Sequence, residues 1–389
     1  MDNNIVVLVA LSGSFGLGIC FSLLGSVSVK LMPRLGIDQG KFGTLISIFM
    51  FTCLIASLIV GISLDKVGYK PVTIFGFSAT ALSIFLIARG KTFNHVMLSC
   101  LLLGFGAMAL NVTANTLLPI VLFGGKNAAA ASNLGNTFFG LGLFLTPMII
   151  SSLFKKTNYI NAVSAMGIIV LIPLILSIIS SYPGSSSGFI LSDAVGLLST
   201  PVVWIASILL FCYIGLESSF TSWLPTFGKD VISSASPKMD TDASDSAAQR
   251  LLSMFAIGMM AGRLAASQIS GITTYGSWFI AGAALIAGVT ILLMIRTKSI
   301  LASRILAIIA GLAFAPLFPT IAGVTLSKFP PAIYGSLFGI IFAVGLLGGV
   351  IIPKAIGNLA KGTSVQKSLR LLLPVCIVLI ILAFVLGKI

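Results

Sequence analysis

The sequence predicts an all-α membrane protein with twelve transmembrane helices in two six-helix bundles. Three observations carry that expectation. Hydrophobic residues fill 57% of the 389 positions and charged residues only 8%, with a mean hydropathy of +1.14. A water-soluble domain carries about 25% charge and could not hide so much apolar surface in one core. The apolar residues fall in runs of about 20, the length that crosses the hydrocarbon layer of a bilayer. A Gly- and Ser-rich stretch separates the first six runs from the last six.

The runs lie near 5–29, 41–63, 71–89, 95–122, 129–154, 159–181, 201–227, 249–270, 276–296, 302–327, 332–353 and 367–387. Residues 1–181 form the expected N-terminal bundle and residues 201–389 the C-terminal bundle. Between them 182–200 (YPGSSSGFILSDAVGLLST) has a flexible-linker composition. The chain starts Met-Asp-Asn-Asn without a basic n-region. Its first apolar run is too long for the core of a cleaved leader, so it reads as a true span. Residues 228–248 hold four of the nine acidic residues and read as an exposed, mobile loop after the seventh span. Closely spaced glycines (Gly104 and Gly106, Gly140 and Gly142, Gly258 and Gly262, Gly345, Gly348 and Gly349) recur in the runs. They suit helices that pack tightly or slide.

Cys20, Cys53, Cys100, Cys212 and Cys376 all sit inside apolar runs and read as small buried hydrophobes. With one histidine and no C-x-x-C pair, no metal site is expected. That histidine, His95, opens the fourth span and reads as interfacial. No nucleophile–base pair stands out, so no catalytic residues are expected. No G-x-x-x-x-G-K-[ST] loop is present, so nucleotide hydrolysis does not drive the protein directly.

One acidic residue lies within an apolar run: Glu217, in the segment from Phe211 to Pro225. A carboxylate at membrane depth is costly and usually faces a cavity. Glu217 is therefore the candidate ligand anchor and proton-coupling group. The alternative is a structural hydrogen bond to a neighbouring helix. Tyr213 precedes it by one turn on the same face, and Trp223 follows on another face. Asn111 and Asn115 share one face of the fourth span, and Asn133 and Asn136 lie in the fifth. Their amides offer donors and acceptors to a polyhydroxyl ligand, although buried asparagines also join helices. Arg263, in the eighth span, is expected to snorkel, pair across the bundle or bind an anion. Pro319 is expected to break the tenth span.

Between the second and third spans stands Gly61-Ile-Ser-Leu-Asp65-Lys66-Val-Gly68-Tyr69-Lys70. It resembles the loop signature G-x-x-x-D-[RK]-x-G-[RK]-[RK] of the major facilitator superfamily, with Tyr69 as the one departure. Gly68 permits a tight reversal, and Asp65 is an acceptor suited to a helix N-terminus. The resemblance implies that Gly61, Asp65, Lys66, Gly68 and Lys70 form a cytoplasmic gate. It also implies two six-span repeats and a midplane site between the halves. The fourth span lacks the arginine that often pairs with this aspartate in the superfamily. The latch must then lean on helix ends.

Within the superfamily, several segments resemble the fucose and glucose–galactose permease family. They are Tyr213-x-Gly215-x-Glu217 followed by Trp223, Gly311 through Phe318-Pro319-Thr320, and Gly348-Gly349 with Pro353. That family places E-x-x-x-N in the fourth span. Here Asn115 matches, and Asn111 stands where the family has its proton-carrying carboxylate. Coupling, to proton or sodium, would fall on Glu217. The fifth span lacks the antiporter signature G-x-x-x-G-P-x-x-G-G; Gly142-Leu-Phe-Leu-Thr146-Pro147 stands nearest to it.

Two orientation signals disagree. The loop signature places both termini in the cytoplasm. On that topology only Lys66, Lys70, Lys126, Arg263, Lys328 and Lys388 face inward, and the other 17 of the 23 basic residues, including Lys155, Lys156, Lys354 and Lys361, face outward. The positive-inside rule would invert the chain. The motif marks one specific loop and takes precedence. The basic outer face is then suited to anionic lipid or an anionic solute, unless the span ends lie elsewhere.

The expectation is a secondary active or facilitative transporter of a small polar solute, foremost a sugar. Asn111, Asn115, Asn133, Asn136, Tyr213, Glu217 and Trp223 are the substrate-binding candidates. One alternative is an organic-anion transporter using Arg263 and the basic outer vestibule. Another is a non-transporting membrane sensor. The expected setting is an integral, multi-pass monomer in the plasma (inner) membrane. Its partners are lipid and a small-molecule substrate, without nucleic acid, metal or cofactor.

Overall fold

In lipid every backbone polar group must find its partner inside the chain, and the apolar runs accordingly fold as helices. The computed structural model describes residues 3–183, 191–235 and 241–389, and among these no strand occurs. In chain order the helices are α1 (Asn3–Leu35), α2 (Gln39–Val67), α3 (Tyr69–Arg89), α4 (Phe93–Val121), α5 (Ala128–Lys156), α6 (Tyr159–Ile179), the short α7 (Leu191–Gly196), α8 (Pro201–Ala235), α9 (Thr241–Ser267), α10 (Gly276–Arg296), α11 (Ile300–Phe314), α12 (Leu317–Leu326), α13 (Tyr334–Ala360), the short α14 (Val365–Ser368) and α15 (Leu372–Lys388). Polar residues at the junctions start them. Asp38, Thr92, Asn158 and Ser299 each accept a backbone N–H three residues on, capping α2, α4, α6 and α11. Gly68, at φ 85°, closes α2 through a bond to Leu64 O and lets α3 begin at the next residue.

Among the described residues, eleven helical segments are long and apolar enough to cross a membrane. The expected eighth span is present as the helix α9 but falls outside that set. It carries Arg250 and Arg263 and is the least apolar of the long helices. The loop expected over 228–248 is corrected. The helix α8 runs on to Ala235 and α9 starts at Thr241, while 236–240 lie outside the described residues. Near its end α8 is packed: the Gln366 backbone N–H donates to Asp230 Oδ2 at 3.1 Å. Of the expected linker, 191–199 is helical and 184–190 lie outside the described residues. The tenth span breaks at Ala315–Pro316 rather than at Pro319. Pro319 is the third residue of α12, where its missing N–H would have had no intrahelical partner.

The chain divides into two compact units. The first comprises Met1–Ala128, Phe138–Ser199 and Lys328–Ala343, and the second Ala129–Thr137, Thr200–Ser327 and Val344–Ile389. In the first unit α4 is central, and residues 106–119 are all buried. It packs on α1, α2 and α3. In the second unit α9 packs on α8 and α11, and α10 on α15.

One packing device recurs in both units. In the first, α1 meets α5 at glycines: a Cβ on Gly18 would stand 2.8 Å from the Gly142 Cα. In the second, α8 meets α13 likewise: a Cβ on Gly215 would stand 2.9 Å from the Gly348 carbonyl oxygen. A second pair repeats too. Gly104 of α4 lies against Thr52 of α2, and Gly311 of α11 lies against Gly258 of α9. Small residues allow such approaches. The same device therefore serves helix crossings in each unit.

Candidate functional site

Tyr213 and Glu217 stand one turn apart on α8, and Arg263 of α9 reaches both. Its Nη2 donates to Glu217 Oε1 at 3.3 Å and to the Tyr213 hydroxyl at 3.5 Å. Its Nη1 donates to the backbone carbonyl of Asn136 at 3.3 Å. The Arg263 side chain is only 4% exposed, whereas that of Glu217 is 26% exposed. The carboxylate therefore holds a buried cation on one edge and keeps an open edge that can accept hydrogen bonds. Such a pair contributes little net stability, but losing one partner strands a buried charge, at about 3–5 kcal/mol. Phe318 of α12 flanks the Tyr213 ring, with centroids 6.1 Å apart. Snorkelling, one expectation for Arg263, is corrected: the guanidinium turns inward because its counter-charge lies there.

The first turns of α5 belong to the same unit. The Asn133 amide donates to Ala129 O at 2.9 Å and to Thr320 Oγ1 at 3.3 Å. The Asn136 amide donates to Ser132 O at 2.9 Å. The Ala129 backbone N–H donates to Thr273 Oγ1 at 2.9 Å. Trp223 stands apart from this cluster: its Nε1–H donates to Pro353 O at 3.0 Å, and its ring lies over Gly357.

Asn111 and Asn115 lie in the first unit, buried on α4. The Asn115 amide donates to Asn111 Oδ1 at 2.8 Å and to Asn111 O at 3.0 Å. At the end of α2 in that unit, Asp65 Oδ1 accepts the Gly335 N–H at 2.8 Å and Oδ2 accepts the Ser336 N–H at 2.6 Å. The carboxylate thus sits on the N-terminus of α13, where the helix dipole favours it. Gly61 and Gly335 lie in backbone contact beside it, while Lys66 and Lys70 are exposed. The basic residues of this unit remain unevenly placed. Lys30, Arg34, Arg89, Lys155 and Lys156 stand at the closing ends of α1, α3 and α5, with Lys41 in the first turn of α2 and Lys91 in the connection between α3 and α4. That end is tied together by Lys30 donating to Phe154 O at 3.1 Å and by Arg34 over the Tyr159 ring at 5.1 Å.

Sequence reasoning named Glu217 and Arg263 separately and missed that they pair. The available signal was one acid and one arginine inside neighbouring spans, where each is costly without the other. It also passed over Thr273, which carries no distinguishing pattern, and met Thr320 only as part of a family-like segment.

Long apolar helices around a buried arginine paired with a partly exposed carboxylate, and around buried amides, are the construction of a solute-handling membrane protein. The Major Facilitator Superfamily pattern matches residues 10–353. The chain belongs to the major facilitator superfamily, and it is an integral, multi-pass membrane transporter rather than an enzyme. Among solved structures it is similar to the superfamily transporter FucP in its outward conformation, with a TM-score of 0.80, 18% identity and 99% of both chains covered. It is similar to a variant of the E. coli fucose:proton symporter FucP, at 0.79, 18% and again 99% of both chains. It is also similar to the human organic anion transporter MFSD10, at 0.76 and 16%, covering 99% of this chain and all of that one. At these identities the likeness establishes the fold. No curated protein sequence matches the chain.

Proposed function

We propose that this transporter carries a small, polar, uncharged solute, foremost a sugar, by alternating access. One observation carries the reading: Glu217 is a partly open carboxylate whose charge is already balanced by buried Arg263. A neutral ligand bearing hydroxyl donors gains charge-assisted bonds at its open edge. An anion would meet the carboxylate before the guanidinium. Tyr213 and the Asn136 carbonyl share Arg263 with this carboxylate, and Asn111, Asn115, Asn133 and Asn136 remain substrate-binding candidates in this reading. Trp223 serves as a packed wall. Solute binding would favour one of two states and shift their populations, with Glu217 also the group for proton coupling and sodium the alternative ion. The Asp65 clasp, with Gly61, Lys66, Gly68 and Lys70, is the cytoplasmic gate in this reading. The bundles 1–181 and 201–389 are its two moving halves, and a monomer has both termini in the cytoplasm of a plasma membrane.

The likeness to FucP, a fucose:proton symporter, supports a sugar. The likeness to MFSD10, an organic anion transporter, and the buried Arg263 support a second reading with an anionic solute. Counterflow in proteoliposomes decides between them. The expected result is uptake competed by neutral sugars and not by carboxylates. Glu217→Gln should weaken apparent affinity about tenfold, the effect of losing one charge-assisted bond. Competition by carboxylates alone supports the anion reading, counterflow of no solute supports a sensor, and full activity in Glu217→Gln removes the anchor.

A further inference from the structure

Ala129, Asn133 and Asn136 follow one another on α5 at the spacing i, i+4, i+7, which is one stripe of a helix. Each is held by a different element of the second unit. Thr273, in the turn before α10, accepts the Ala129 N–H at 2.9 Å. Thr320 of α12 accepts from the Asn133 amide at 3.3 Å. Arg263 of α9 donates to the Asn136 carbonyl at 3.3 Å. Beside the stripe, Ala129 and Ala130 pack against Ala266 and Ile272. The three bonds form a polar ladder that fastens the first two turns of α5. Two rungs end on neutral hydroxyls. The third ends on a guanidinium whose other nitrogen is bonded to Glu217 and Tyr213.

We propose that Arg263 is the positioning residue that transmits occupancy of the Glu217 carboxylate to the first two turns of α5. The inference rests on the reading of Glu217 as ligand-facing. The guanidinium is a rigid planar fork, so its two nitrogens cannot shift independently. A ligand donor that draws Glu217 away from Nη2 changes the best position of the whole group, and with it the bond from Nη1 to Asn136. The rung that yields is the one attached to the solute site. Lysine, a single point charge on a flexible stem, cannot hold both partners in one geometry.

Cysteine accessibility in the full-length protein tests this without a known solute. Ser132 lies between the ladder residues, fully buried, and its hydroxyl has no hydrogen-bond partner. Ser132→Cys should therefore be tolerated. The five native cysteines are buried, and the protein without the added cysteine sets the background. The probe is N-ethylmaleimide in proteoliposomes. Glu217→Ala should raise the labelling rate at position 132 by about fivefold or more, the size of an ordinary coupling between sites. Arg263→Ala should raise it to a similar level, and Arg263→Lys should fall between. In the Arg263→Ala background, Glu217→Ala should add nothing. Ser207→Cys is the control, since Ser207 is equally buried in α8 with an equally unpartnered hydroxyl. Its labelling should stay constant in every background.

Additive effects of the two substitutions at position 132 overturn the relay, because Glu217 then reaches α5 by another route. Equal labelling gains at 132 and 207 overturn it as well, since Arg263 then acts by general loosening. The sugar reading fails on the counterflow result and this inference on the labelling cycle, so either can fall alone.

Discussion

Ser336 gives its backbone N–H to Asp65 Oδ2 at 2.6 Å, so a side chain from the end of α2 closes the open start of α13. Gly335 gives its own N–H to Oδ1 at 2.8 Å. Two N–H groups that the helix cannot satisfy internally are thus taken by one anion.

Asp65→Asn keeps the shape but replaces one acceptor by an amide NH2 that faces another N–H. The expected cost is about 2–3 kcal/mol, the range for a bond to a charged group together with an unmet donor. Asp65→Ala should cost at least as much. Thermal unfolding of purified protein in detergent reads both. Midpoints equal to the parent's would show that the contact holds nothing.

The glycine crossings set a second expectation. A Cβ on Gly142 would stand 3.0 Å from the Gly18 Cα, and a Cβ on Gly348 would stand 2.7 Å from the Phe211 carbonyl carbon. Backbone cannot yield as a flexible side chain does. Gly142→Leu and Gly348→Leu should each lower stability by about 3 kcal/mol or more, beyond the usual cost of overpacking. Gly282→Leu, at a position with nothing within 4 Å, should be nearly neutral. If all three variants melt alike, close packing is not what these glycines provide.

The paired amides of α4 supply a third. Asn115 donates to both the side chain and the backbone of Asn111, deep in the first unit. Asn115→Ala leaves the Asn111 carbonyl oxygen without that donor in a buried setting, at about 1–3 kcal/mol. The double change Asn111→Ala with Asn115→Ala should cost less than the sum of the singles, because it removes the stranded partner too. Strict additivity across the four proteins would mean that the amides do not act as a pair.

The helices were legible in the sequence because membrane thickness sets a length and lipid demands helix. Glu217 was legible because an acid at membrane depth is rare. The continuation of α8 through 228–235 was not. Gly228, Lys229 and Asp230 read as loop by polarity, yet helix persists where Asp230 accepts from Gln366. The break of span ten was placed three residues too far along. Two prolines lie close together there, and only Pro316 falls where the ladder is interrupted; Pro319 sits in the first turn of the next helix. Charge pairing between Arg263 and Glu217 needs the packing of α8 on α9, and periodicity along one chain does not contain it. The Asp65 contact was half legible. Its motif and the missing arginine of the fourth span pointed to a helix end, but not to which one.

Trp223 supports the final expectation. Its indole N–H is bonded to Pro353 O at 3.0 Å, and its ring covers Gly357. The side chain therefore joins α8 to α13, and its one polar atom is spent on that joint. Trp223→Phe retains an aromatic wall but loses the bond. It should cost about 1 kcal/mol of stability and leave the apparent affinity for solute within about twofold, less than a contributing hydrogen bond would be worth. Gly357→Ala should act in the same direction, since the added Cβ would stand 2.8 Å from the ring and force it to shift. Counterflow and thermal unfolding on the same two variants separate the roles. A large loss of affinity at unchanged stability would make Trp223 a ligand contact instead of a strut, and would move the solute site along α8 toward the end that Pro353 marks on α13.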